Sequence, residues 1–114
     1  MTFTGKSICA LSFLFVFFCA RAQKTAIYFD KDVLYKSGVE LFDKMQFASA
    51  QKHFTDYIRQ AKPSVMRSDA VYYSAACAIE LFNKDGEWQM RQFVERNPES
   101  LMINWAWYYL GKSA

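Results

Sequence analysis

The sequence has 114 residues, 53% of them hydrophobic and 18% aromatic, which suits one small domain with an ordinary core and excludes a disordered or low-complexity chain. The formal charge is +3, but Lys6 and Arg21 stand in an N-terminal stretch without acids, and the remaining residues set 12 basic against 11 acidic side chains. That balance leaves no electrostatic footprint for nucleic acid.

Lys6 gives the chain a positive start, residues 8–20 (ICALSFLFVFFCA) are an uncharged apolar run, and Ala20-Arg21-Ala22 places small residues where signal peptidase needs them. Residues 1–22 are therefore predicted to be a secretory signal peptide, with the mature chain beginning at Gln23. A membrane anchor is the competing reading, but thirteen residues at 1.5 Å each reach only about 20 Å, short of a ~30 Å hydrocarbon core. Lipidation at Cys19 would tether the product to a membrane, giving it a peripheral association with the cell envelope. Phe18 precedes that cysteine where lipoprotein signals carry a small residue, so the match is poor and the lipidation state of Cys19 stays open. Removing residues 1–22 removes Cys9 and Cys19 and leaves Cys77 alone, so no intramolecular disulfide can form and stability must come from packing.

Five helices follow in chain order. Val33, Leu34, Leu41 and Phe42 at helical spacing, with Asp30 or Asp32 to start, predict a first helix over 30–44. After a break at Met45-Gln46, the residues Phe47, Ala50, Phe54, Tyr57 and Ile58 predict a second helix to about Gln60, and Pro63 closes the unit. A third helix over 66–82 carries Val71, Tyr72, Ala75, Ala76 and Ile79, and Asn83-Lys84-Asp85-Gly86 has the composition of a turn. The fourth helix carries Trp88, Met90, Phe93 and Val94 and ends at Asn97-Pro98. Ser100 then opens a fifth through Leu101, Trp105, Trp107, Tyr108 and Leu110. No stretch alternates as a strand does, so the fold class is all-α.

The two prolines are 35 residues apart and each ends a helix pair, which raises the question of repeats. Trp107-Tyr-Tyr-Leu110-Gly111 resembles the W-x-x-L-G opening of a tetratricopeptide repeat, and Leu34-x-x-Ser37-Gly38 is a weaker version. Ala50, with Phe54 four residues on, matches the family's A-x-x-x-F. In the middle unit Tyr72-x-x-Ala75-Ala76 takes the first position, with Ala76 as the small residue. There Gly86 replaces the second-helix alanine and Met90 the aromatic, with Phe93 beside them. Only ten residues separate Ala76 from Gly86, so the intervening turn is expected to be two residues shorter than in the first unit. The residues that would pack the repeats together are Leu34, Gly38, Ala50 and Phe54 in the first unit. Tyr72, Ala76, Gly86 and Phe93 do so in the second, and Trp107, Leu110 and Gly111 in the third. A small residue lets two helix backbones approach, and the large ones fill the adjoining grooves.

The resemblance implies an antiparallel helix-hairpin solenoid in residues 23–114, with one repeat over about 30–63, a second over 64–98 and the first helix of a third over 99–114. It is similar to exported repeat proteins of the Gram-negative envelope, such as those serving outer-membrane assembly or the Tol-Pal system. A periplasmic or outer-membrane-associated location is therefore expected. The chain is expected to be an N-terminal fragment, stopping within the third repeat on an aromatic helix; the competing reading is a complete chain of two and a half repeats capped by that helix.

In tetratricopeptide proteins the first helix of each pair lines a concave surface that binds a protein or peptide. Helical spacing puts Tyr35, Val39 and Phe42 on that face of the first helix, Tyr73, Cys77 and Glu80 on the third, and Trp105, Tyr108 and Lys112 on the fifth. Burial of the same residues by a neighbouring repeat is the alternative. The function implied is a non-enzymatic scaffold or adaptor; the alternative is a structural spacer before a further functional domain. No catalytic, cofactor or metal site is expected. His53 and Cys77 lie on different helices, His53 is expected at a rim, and no phosphate loop, nucleophile motif or paired carboxylates stand out. Aromatics interleaved with basic residues suggest helix packing rather than single-stranded nucleic acid, given the charge balance.

Overall fold

The computed structural model describes residues 31–113. The signal peptide expected over 1–22, with Cys9 and Cys19, and residues 23–30 and 114 lie outside the described residues. Five helices run in order: α1 Lys31–Asp43, α2 Phe47–Gln60, α3 Val65–Glu80, α4 Gly86–Arg96 and α5 Ile103–Ser113. No strand occurs among the described residues, so the fold is all-α.

Each helix packs on the next, and short connections make neighbours antiparallel. α1 also touches α3, and α3 touches α5, whereas α2 and α4 do not meet. The odd-numbered helices thus form one layer, and α2 and α4 lie on it as separate covers. α3 is the shared element, with eight buried residues. Its Ala70, Ala75, Ala76 and Ala78 are at most 1% exposed, and these short side chains admit neighbours from both sides.

Both hairpins turn by one device. α1 ends with Met45 at φ 60° and α3 with Phe82 at φ 58°. Met45 N–H donates to the Phe42 carbonyl and Gln46 N–H to that of Leu41, both at 2.9 Å. Phe82 N–H donates to Ile79 at 3.0 Å and Asn83 N–H to Ala78 at 2.9 Å. These paired bonds satisfy the last carbonyls of each helix in the Schellman arrangement, whose left-handed residue is usually glycine. Here it is a large apolar side chain, and both are exposed.

The core has two parts. Ala50, Phe54 and Tyr57 of α2 pack with Ala70 and Cys77 of α3, edged by Leu34, Tyr35 and Val39 of α1. Tyr72, Ala75, Ala76 and Ile79 of α3 pack with Met90 and Phe93 of α4 and with Ala106 and Tyr109 of α5. Phe54 and Phe93 are the largest fully buried side chains, each contributing about 1.5–3 kcal/mol by leaving water.

Three expectations about boundaries are corrected. α3 spans Val65–Glu80 and not 66–82, because Ser64 Oγ accepts from Arg67 N–H at 3.1 Å and starts the helix earlier, and the Schellman turn stops it earlier. α5 begins at Ile103, not Ser100. Ser100 instead closes a turn, its carbonyl accepting from Ile103 N–H and its Oγ from Met102 N–H. The second hairpin's connection, residues 81–85, is longer than the first's, 44–46, not shorter. The missing residues come from α4 itself: Gly86 is its first residue, whereas Ala50 lies a turn inside α2. A Cβ on Gly86 would stand 2.9 Å from the Ile79 backbone nitrogen, so α4 starts at a close approach to the end of α3.

Candidate functional site

The expected groove divides between interior and surface. Tyr35, Val39, Phe42 and Tyr73 are half-buried in the layer joining α1, α2 and α3, and Cys77 beneath them is 0% exposed. Tyr73 stacks on Phe54 with centroids 5.0 Å apart and planes at 7°, and meets Phe42 edge-on at 5.1 Å. Cys77 offers a partner no surface, because it is packed with Ala50, Phe54 and Tyr57 of α2 in a cluster edged by α1. Glu80 pairs with Lys112, Oε1 to Nζ 2.7 Å, tying α3 to α5, and Lys112 also lies 5.8 Å from the Tyr109 ring centre. Of the nine residues, Trp105 and Tyr108 present large aromatic surface to solvent, at 60% and 57% exposure.

The packing residues divide in the same way. Leu34, Gly38, Ala50 and Phe54 meet between α1 and α2, and a Cβ on Gly38 would stand 2.8 Å from the Phe54 ring. Tyr72, Ala76 and Phe93 meet in the second core with Gly86 buried beside them, and Leu110 packs on that core's edge. Trp107 and Gly111 are not packed. Trp107 is 58% exposed, and a Cβ on Gly111 would find nothing within 4 Å. In α5 the buried residues are Ala106 and Tyr109, one position before and two positions after Trp107. Of the W-x-x-L-G residues only Leu110 meets the core, while Trp107 and Gly111 lie with Tyr108 on the exposed side of the helix.

α5 thus carries three of the exposed aromatics among the described residues, Trp105, Trp107 and Tyr108, with Phe82 and Trp88 exposed elsewhere. Trp105 and Tyr108 meet edge-on at 6.1 Å, Tyr108 leans on Tyr109 at 5.5 Å, and Leu101 just before the helix is 94% exposed. Beside Trp107 lies an open hollow of about 330 Å³, floored by Val94 and Leu110 and edged by Arg91 and Glu95 of α4. A second hollow, about 560 Å³, lies between the start of α3 and residues 96–101. It holds Asp69 and Arg96, and burial raises the Asp69 carboxyl above its ordinary range.

Cys77 is sealed and His53 is engaged on its own helix. Burial, and then the Glu80 carboxylate, pushes the Cys77 thiol up to about 12, so it holds its proton at physiological pH. His53 Nδ1 lies 2.8 Å from the Ser49 carbonyl on its own helix. Among the described residues no three His, Cys, Asp or Glu side chains come together to hold a metal ion, and no helix is long and apolar enough to cross a membrane.

The sequence places breaks at Met45-Gln46 and 83–86 but not the left-handed conformations of Met45 and Phe82, since neither of those residues is Gly or Asn. Comparison with protein-family profiles, with characterised proteins and with solved structures finds no match to this chain.

Proposed function

We propose that the chain is a non-enzymatic protein–protein interaction scaffold of tetratricopeptide-like helix hairpins, sent to the bacterial periplasm or outer membrane by residues 1–22. The observation that carries the binding reading is the exposed aromatic pair Trp105 and Tyr108, on the layer of first helices that this family uses to hold peptides. Rigid aromatic side chains give large contact area at small entropic cost, and they are the usual anchors of protein interfaces. The neighbouring Lys112, held by Glu80, would orient a polar partner group at the rim of that surface.

The two hairpins support the repeat reading, since both turn through paired Schellman bonds and both set Tyr-x-x-small on the first helix. The sealed Cys77 thiol favours a packing role over nucleophilic chemistry.

The test is site-specific photocrosslinking of the full chain exported by a Gram-negative host. A benzophenone side chain at Trp105 is expected to give a discrete protein adduct, absent when the same group replaces the exposed Lys52 of α2. Adducts with lipid alone, or no difference between the two positions, would overturn the binding surface. N-terminal sequencing of the exported product is expected to start at Gln23, and retention of residues 1–22 would overturn the address.

A further inference from the structure

The rings that fill the core also form an unbroken path to the surface. Trp105 meets Tyr108 edge-on with centroids 6.1 Å apart, and Tyr108 meets Tyr109 at 5.5 Å. Tyr109 crosses to Tyr72 of α3 at 6.2 Å, and Tyr72 meets Tyr73 at 5.1 Å. From Tyr73 the path continues to Tyr35 at 6.3 Å and on to Tyr57 of α2 at 5.6 Å. Rings at these spacings are in direct contact. Indole and phenol are also the aromatic side chains that give up a single electron most readily, so an electron vacancy has a neighbour at every step. Packing alone accounts for the contacts. What sets one ring apart is the place its proton can go.

A phenol that keeps its proton is a poor electron donor, because the cation left behind is charged and a buried charge is costly. It becomes a good donor where a base takes the proton as the electron leaves. Tyr72 is 4% exposed and Tyr109 is 8% exposed, so neither delivers a proton freely to water. Burial, then the Tyr109 and Tyr73 phenols and the Cys77 thiol, raise the Tyr72 hydroxyl. At Tyr109 burial acts first and the Glu80 carboxylate next, and a hydrogen bond to Glu80 adds to them, raising the phenol to about 12. Tyr109 therefore carries its proton at neutral pH and faces a base. That base is fixed in place: Lys112 Nζ lies 2.7 Å from Glu80 Oε1 and 5.8 Å from the Tyr109 ring centre. Tyr108, at 57% exposure, faces water, a much weaker base.

We propose that Tyr109 is a redox-active tyrosine, oxidised by way of Trp105 and Tyr108, with Glu80 as its proton acceptor. A diffusible one-electron oxidant takes an electron from the exposed Trp105 indole, which sheds its N–H proton to water and becomes a neutral indolyl radical. One electron then passes from Tyr109 through the Tyr108 ring to that radical, which regains a proton from water. The Tyr109 hydroxyl proton moves to Glu80. In sum, one electron goes from Tyr109 to the oxidant and one proton from Tyr109 to Glu80, leaving a neutral tyrosyl radical. A one-electron reductant and the Glu80 proton restore the phenol. Every group that moves charge belongs to α3 or α5, so the pair of Tyr109 and Glu80 works without a binding partner.

The test is pulse radiolysis of the 114-residue chain with the azide radical, a one-electron oxidant of tryptophan. The indolyl absorbance is expected to decay while a tyrosyl absorbance grows at the same rate, independent of protein concentration. Tyr109→Phe removes one hydroxyl and should slow this phase about a hundredfold, since Tyr108 has only water as a base. Tyr72→Phe, at a comparably buried phenol, should leave the phase intact. Trp105→Phe should lower its amplitude. Glu80→Gln keeps the side-chain shape but takes up no proton, and should also slow the phase about a hundredfold. Lys112→Gln breaks the same ion pair yet leaves the carboxylate, so the phase should persist, which separates proton acceptance from loosening of α5. The proposal is overturned by indolyl decay without intramolecular tyrosyl growth, by a phase equally fast in Tyr109→Phe, or by an unchanged amplitude in Trp105→Phe. Equal losses in Glu80→Gln and Lys112→Gln also overturn it, assigning the effect to helix packing.

Discussion

Gly38 of α1 and Gly111 of α5 sit at matching positions, three residues after a tyrosine, yet their surroundings are opposite. Gly38 is buried under the Phe54 ring, and Gly111 has open space where its Cβ would be. Tyr35 contacts two rings of α2, whereas the large exposed aromatics Trp105, Trp107 and Tyr108 crowd α5. The same local pattern therefore means packing in one place and an exposed face in the other. The difference lies in whether a second helix covers the face, which spacing within a single helix does not encode.

The largest effect should come from removing what covers Gly38. Phe54 is 0% exposed, stacks on Tyr73 and touches Tyr35 edge-on at 6.0 Å. Phe54→Ala is expected to cost about 3–5 kcal/mol in urea unfolding, close to the whole stability of a small domain. A loss below about 1 kcal/mol would mean that α2 does not cover α1 in solution.

Next come the two buried glycines. A methyl on Gly86 would press on the backbone of Ile79 and Ala78, at 2.9 and 3.0 Å, which has no rotamer to change. At Gly38 it would press on a ring itself sealed in the core. Each change to alanine is expected to destabilise by about 1–3 kcal/mol, with Gly86→Ala the worse of the two. Helix propensity works the other way by up to about 1 kcal/mol, so a stabilised Gly38→Ala variant would show that the joint is looser than described.

Much of this architecture could be read beforehand, for identifiable reasons. Apolar residues three and four apart marked all five helices, and Pro63 and Pro98 marked the breaks, because these signals act within one turn of chain. The groove was less legible. Helical spacing put Tyr35, Tyr73 and Cys77 on candidate faces, but nothing local said that α1 and α2 would pack over that part of α3. The tandem alanines Ala75 and Ala76 hid the register. Both are buried, and the Tyr72 ring geometry, not the sequence, selects Ala75 as the counterpart of Gly38. The breaks at Met45-Gln46 and 83–86 were legible, but Met45 and Phe82 are neither Gly nor Asn, so their matching left-handed geometry emerges only from the hydrogen bonds.

The buried tyrosine ladder gives the covered side a pH signature. Burial, with neighbouring tyrosine and carboxylate charge, raises Tyr35 and Tyr109 to about 12 from the usual 10.0 and raises Tyr72 and Tyr73 as well. Below pH 10 these phenols are neutral in both states and contribute no pH dependence. As pH rises above 10 the unfolded chain loses protons that the folded chain keeps, so stability falls between about pH 10 and 12. Unfolding midpoints measured across that range should decline, and Tyr72→Phe should make the decline shallower. An equally steep decline in that variant would place the effect elsewhere.

The smallest effect carries the sharpest contrast. Gly111→Ala adds a methyl to a helix position with nothing within 4 Å, so it gains helix propensity without a clash. The chain alone should be stabilised by about 0.5–1 kcal/mol, opposite in sign to Gly38→Ala. If the α5 face is covered in solution by a second copy, the added methyl meets the covering helix and the sign reverses at high protein concentration. Measuring the unfolding midpoint of Gly111→Ala at two concentrations a hundredfold apart distinguishes these outcomes. A concentration-independent gain leaves α5 as an open face, while a loss that grows with concentration makes α1 and α5 alike after all.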